Sequence, residues 1–117
     1  MAIILTKQDF IDKVFDYENN KEWAFKGKRP AIIDFYADWC GPCKMLSPIY
    51  DKLSKEYGDK IDFYKVDTDK EQEISVSLGV KSLPTIMFIP VGEKPKVSVG
   101  YLQKDDFEGT IKDFLKI

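Results

Sequence analysis

Cys40 and Cys43 are the only cysteines in a chain of 117 residues, and they stand three positions apart in Trp39-Cys40-Gly41-Pro42-Cys43-Lys44. Thiols at i and i+3 on a helical turn can close a disulfide with little backbone movement. Such a bond is a poor staple. The chain-entropy model assigns about 2 kcal/mol to a four-residue loop, against about 4.7 kcal/mol for a hundred-residue loop. A lone local disulfide in a chain with no recognisable export signal reads as catalytic instead. The corresponding chemistry is thiol–disulfide exchange: a thiolate attacks a disulfide sulfur and a mixed disulfide forms. The chain contains no histidine. That excludes Cys-His and Ser-His-Asp catalysis, and two cysteines alone do not make the usual four-ligand zinc site.

The elements that must position the sulfurs are legible on either side. Residues 31–37, Ala-Ile-Ile-Asp-Phe-Tyr-Ala, form an almost continuous apolar run of strand length, as expected inside a sheet covered on both faces. The residues after the cysteines carry Leu46, Ile49, Tyr50, Leu53 and Tyr57 on one helical stripe, with Gly58 as a natural stop and Pro48 expected to kink the helix. The cysteines therefore lie at a strand-to-helix junction, Cys40 outside the first turn and Cys43 inside it. Unpaired N–H groups and partial positive charge at a helix N-terminus favour the thiolate. Cys40 is expected to be nearer the surface and to attack. Cys43, one turn deeper, then resolves the mixed disulfide and needs a base.

Asp34 interrupts the apolar run and shares a strand face with Ile32 and Tyr36. It is either a satisfied acid near the strand end or a buried carboxylate whose charge is costly; its apolar neighbours favour burial. In the absence of histidine it is the candidate base for Cys43, acting through water. Residues 61–66 read as the next strand, with Ile61, Phe63 and Lys65 on one face. Lys65 either snorkels to solvent or pairs with Asp34 and tunes its charge.

These residues resemble the thioredoxin family. The hexapeptide follows the right strand, Asp34 precedes Cys40 by six positions, and Lys65, Ser82-Leu83-Pro84-Thr85 and Gly100 come in the family's order. The likeness spans about residues 31 to 115. It implies that Asp34 is the buried acid beneath the disulfide, that Lys65 pairs with it, and that Pro84 is cis and lies beside the disulfide. The backbone of Leu83 would then be free to pair with an extended client chain. Trp39, Gly41, Pro42, Val80, Leu83, Pro84 and Gly100 would line the shallow landing surface, although the family varies at Val80 and Leu83, and Ser82 stands where glycine is common. The implied activity is reduction of disulfides in client proteins, by a monomer with no cofactor beyond the Cys40–Cys43 pair, reloaded by an NADPH-linked reductase. Gly41-Pro42 is the reductase type of dipeptide. An oxidase or isomerase of the same fold usually carries a histidine there. A binding module with an incidental redox centre is the third reading, and the Asp34, Lys65 and Pro84 set argues against it.

The rest of the chain supports a single α/β domain of thioredoxin fold, a central mixed sheet flanked by helices on both faces. A composition of 44% hydrophobic and 32% charged residues is ordinary globular material. A net charge of −2 gives no general attraction to nucleic acid. No run is long and apolar enough to span a membrane. The short start Ala2-Ile3-Ile4-Leu5 lacks the length and basic leader of a signal peptide, so a cytoplasmic location is expected. A periplasmic mature form with its signal removed would look the same. Thr6 and Asp9 suit a capping box for a helix to about Asp16. Residues 17–29, with Trp23 and Phe25, form a stretch longer than in a short member of the family. They are read either as a loop packed by its own aromatics or as a partner-specific patch. Asp67-Thr68-Asp69-Lys70-Glu71 lacks the turn glycine of a calcium loop and reads as a loop and helix start. A helix to Leu78, a strand at 85–89, a turn at 90–95, an edge strand at 96–99 and a last helix bearing Phe107, Ile111, Phe114 and Leu115 complete the order β-α-β-α-β-α-β-β-α. Gly109, inside the last helix, is unexplained except by close packing.

Overall fold

The computed structural model describes residues 2–117. Its elements follow the expected order: β1 (Ile3–Ile4), α1 (Lys7–Lys13), β2 (Ala31–Tyr36), α2 (Gly41–Tyr57), β3 (Asp62–Asp67), α3 (Gln72–Ser77), β4 (Thr85–Ile89), β5 (Lys96–Val99) and α4 (Lys104–Phe114). They form a five-stranded sheet in the order β1-β3-β2-β4-β5. β1, β3 and β2 run parallel, while β4 is antiparallel to β2 and β5 to β4.

Period-two alternation sends the side chains of β2 into two cores. Ala31, Ile33 and Phe35 pack with Phe10 of α1, Val14 just beyond it and Ile74 of α3. Ile32 packs with Leu46, Tyr50 and Leu53 of α2 and Phe107 and Ile111 of α4. β2 is thus covered on both faces, which is why it reads as an apolar run. Asp34 lies on the α2 face, directly opposite Lys65 of β3.

Local chemistry sets the helix ends. Thr6 and Asp9 make the capping box of α1. The helix stops at Lys13, short of Asp16, and beyond it the Asp16 carboxylate accepts from the N–H groups of Glu18 and Asn19 in a local turn. The long connection that follows is tied down: Lys26 N–H donates to the Val14 carbonyl at 2.8 Å, and Trp23 stacks at a tilt on Phe15 with ring centroids 4.9 Å apart. The stretch is therefore a loop packed by its own aromatics. α2 continues through Pro48 as one helix.

Two glycines differ from expectation. Gly58 caps α2 with φ −64°, so it does not use the left-handed region. A β-carbon there would lie 2.5 Å from the Ser54 carbonyl oxygen, so space accounts for this glycine. At Gly109 a β-carbon would meet nothing within 4 Å, so close packing does not account for it. Gly109→Ala should therefore stabilise the protein by about 1 kcal/mol. Thermal unfolding should show this as a rise of about 4 °C in Tm.

Candidate active site

β2 ends at Tyr36, whose carbonyl accepts from both the N–H and the hydroxyl of Thr68, at 2.9 and 3.0 Å. The chain then turns, with Cys40 N–H donating to the Ala37 carbonyl at 3.2 Å. Cys40 is the N-cap of α2, and Pro42 occupies its first turn, where a missing N–H costs nothing. The Cys40 sulfur accepts from the backbone N–H of Cys43 at 3.2 Å. The two sulfurs are joined in a disulfide with Cα atoms 5.3 Å apart, inside the ordinary range. When the bond is opened, the same N–H and the end of the helix dipole face the charge on Cys40.

Depth does not separate the two cysteines. Each is 4% exposed, which corrects the expectation that Cys40 is the more superficial. Both belong to a small buried cluster with Ala37, against which Tyr36 and Leu83 pack. The sulfurs differ in what they face. Cys40 lines an open depression of about 550 Å³, together with Trp39, Gly41, Pro42, Val80 and Leu83. Cys43 lines a separate cavity of about 140 Å³ with Asp34, Tyr36, Ser47 and Lys65.

Pro84 and Gly100 sit differently from the rest of the expected landing surface. Pro84 is buried, with the Leu83–Pro84 peptide bond cis, and does not line the depression. Gly100 does not line the depression. Its N–H donates to the Pro84 carbonyl at 2.8 Å, and its φ of +98° is one that a side chain rarely adopts. It braces the loop rather than forming the surface. Thr68, Ser75, Lys81 and Ser82 complete the depression and were not singled out from the sequence. Lys81 and Ser82 could have been found as neighbours of Leu83; Thr68 and Ser75 come from distant segments with no local signal. Trp39, 70% exposed, is held over the site by its indole N–H, which donates to the Asp69 carboxylate at 3.0 Å. Asp67 accepts from the N–H groups of Asp69 and Lys70, so the loop that resembled a calcium site spends that carboxylate on its own backbone.

Asp34 is 1% exposed, and its Oδ1 has no hydrogen-bond partner among the described residues. Burial pushes its pKa up from 3.8 to about 6, against the opposing pull of the Lys65 charge. The expected Asp34–Lys65 pair is not formed: the Lys65 ammonium lies 4.6 Å from the centre of the Tyr36 ring, without an ion pair to the carboxylate. Lys65 influences Asp34 through space only. The Tyr50 hydroxyl donates to the Tyr64 carbonyl at 2.6 Å and lies 3.0 Å from that of Ile32, bridging β2 and β3 beneath the site. Among the described residues no group of three potential metal-ligating side chains occurs.

A disulfide at a helix end, with a proton-accepting carboxyl beside one sulfur and a depression of mixed polarity beside the other, defines a thiol–disulfide oxidoreductase. Comparison with known proteins narrows the class. A model of the Thioredoxin family matches residues 3–113. A thioredoxin of Borreliella burgdorferi is 74% identical over 97% of each chain. A chloroplastic M-type thioredoxin of Spinacia oleracea is 32% identical over 97% of this chain and 64% of its own length. The solved structure of the Malassezia sympodialis thioredoxin superposes with a TM-score of 0.75 at 30% identity, covering 96% of this chain and 89% of that one. The chain belongs to the thioredoxin family. Its activity is disulfide reduction by dithiol–disulfide exchange through Cys40-Gly41-Pro42-Cys43.

Proposed function

We propose the following division of labour within that activity. Cys40, as thiolate, attacks a client disulfide; one client sulfur leaves as thiolate and the other remains bonded to Cys40. Asp34 takes the proton of Cys43, through water. The Cys43 thiolate then attacks the Cys40 sulfur, the second client thiolate leaves, and the Cys40–Cys43 disulfide remains. Two electrons have passed to the client. The observation that carries this reading is the partition of the sulfurs: Cys40 lines the depression with the residues around Leu83, and Cys43 lines a separate hollow with a carboxyl whose raised pKa suits proton exchange with a thiol. Lys65 tunes Asp34 by its charge. Trp39, Gly41, Pro42, Val80 and Leu83 receive the client, while Pro84 and Gly100 hold the Leu83 backbone in place to pair with it.

The proposal extends to an NADPH-linked reductase that returns the two electrons, to a monomeric protein, and to a cytoplasmic location, where thiols are kept reduced. The Gly41-Pro42 dipeptide supports a reductase over an oxidant. Equilibrium titration of the Cys40–Cys43 couple against glutathione tests this directly. The expected outcome is a potential well below that of glutathione, each 30 mV corresponding to about 1.4 kcal/mol. A potential above it would make the protein an oxidant.

A further inference from the structure

We propose that the ring of Tyr36 is a positioning element for the exchange reaction: it holds the Lys65 ammonium within the hollow that Cys43 lines and so keeps it from pairing with the Asp34 carboxylate. This rests on the reading of Asp34 as the group that exchanges the Cys43 proton.

The geometry has one unusual feature. Asp34 and Lys65 are register partners on the parallel strands β2 and β3, and opposite charges so placed attract each other. Here the carboxylate is buried with Oδ1 unpartnered, the situation in which the pull on a nearby ammonium is strongest. The ammonium nevertheless lies over the Tyr36 ring, 4.6 Å from its centre, within the range of a cation–π contact. Tyr36 follows Asp34 by two residues on the same face of β2, one step nearer the disulfide. Tyr36, Asp34, Cys43 and Lys65 line the same cavity. The ring therefore offers the ammonium an alternative seat next to the carboxylate but not on it.

The consequence is chemical. A carboxylate locked in an ion pair is held ionised and is a weak base. One that feels the cation only through space keeps an affinity for protons closer to that of a thiol, which a proton exchange with Cys43 needs. The other groups facing Asp34 do not supply this control. Tyr50 of α2 is neutral, its ionisation pushed far up by burial and by Asp34 itself. Asp38 and Lys44 also line the hollow, and both are exposed to solvent. The β4 neighbour of Asp34 is Ile86, which is apolar. Tyr36 itself stays neutral, since burial and the Asp67, Asp38 and Asp34 charges push its phenol upward.

The test is an NMR titration of the Asp34 carboxyl carbon in the oxidised protein, for wild type, Tyr36→Phe, Tyr36→Leu, Lys65→Met and the Tyr36→Leu/Lys65→Met double variant. Tyr36→Phe keeps the ring face and should titrate like wild type. Tyr36→Leu frees the ammonium to reach the carboxylate and should lower the midpoint by about one pH unit. Lys65→Met should raise it, and the double variant should coincide with Lys65→Met. An equal fall on Tyr36→Leu in the Lys65→Met background would mean that the ring acts by excluding water, and would overturn the proposal. So would an unchanged or raised midpoint in Tyr36→Leu. Should Tyr36→Leu not fold, the unaltered protein decides: the Lys65 Cε protons should be shifted upfield by the Tyr36 ring, and their absence from its shielding cone would equally overturn it. The role of Asp34 is read separately, from the kinetics of Asp34→Asn, so a failure there is distinguishable from a failure here.

Discussion

Cys43→Ser should convert the protein into a covalent trap. Cys40 still lines the depression and still attacks a client disulfide, but no second sulfur is left to release the mixed disulfide. Multiple-turnover reduction should fall roughly a thousandfold or more, as expected when the resolving nucleophile is removed. Client proteins should accumulate bonded to Cys40 and be released by a small thiol reductant. Cys40→Ser should trap nothing and reduce nothing. The asymmetry comes from which hollow each sulfur lines, since both residues are equally buried. Alkylation of the reduced wild-type protein at neutral pH, followed by peptide mapping, checks it independently. Preferential modification of Cys43 would reverse the assignment of the two roles.

Asp34→Asn should slow the chemistry and strengthen the fold, in a way that depends on pH. The folded protein holds the Asp34 proton up to about pH 6, whereas the unfolded chain releases it near 3.8. Between those values the folded state binds more protons, so its stability falls as pH rises through the window and then levels off above about pH 6. The full difference corresponds to about 3 kcal/mol. Asparagine never ionises and escapes this loss, although burying an incompletely bonded amide costs about 1 kcal/mol or more. At pH 8 Asp34→Asn should therefore be more stable than wild type by roughly 1 to 2 kcal/mol, and the gain should vanish below about pH 4. Denaturant midpoints at the two pH values measure it. Resolution of the mixed disulfide should slow by a factor of about 10² to 10⁴, the usual contribution of a positioned base. A lower midpoint for Asp34→Asn at pH 8 would contradict the buried, charge-disfavouring environment.

Much of this protein follows from local sequence because local sequence carries the relevant physics. The order of nine elements follows from apolar periodicity and turn residues, since a strand buried on both faces must read as continuous apolar and a surface helix must repeat near four. The i,i+3 spacing of Cys40 and Cys43 at the start of a helix determines that they can bond and which of them caps the helix. The single acid in the apolar run of β2 had to be either satisfied or costly, and its neighbours marked it as buried.

The tertiary structure decided what no local pattern encodes. The two cysteines are equally buried in a cluster that Leu83, from forty residues further along the chain, packs against, so the sulfurs are distinguished by the space each faces and not by helix depth. Gly100 turned out to brace Pro84 and not to line the surface, because a hydrogen bond between distant segments is set by how the strands pack. Thr68 and Ser75 joined the site for the same reason. The separation of Lys65 from Asp34 is the clearest case. Register alone puts an ammonium opposite a carboxylate, and only the three-dimensional arrangement shows that an aromatic ring on the same face competes for it. Side-chain direction among several close partners depends on the energies of all of them at once, and a sequence specifies those partners only through the fold that brings them together.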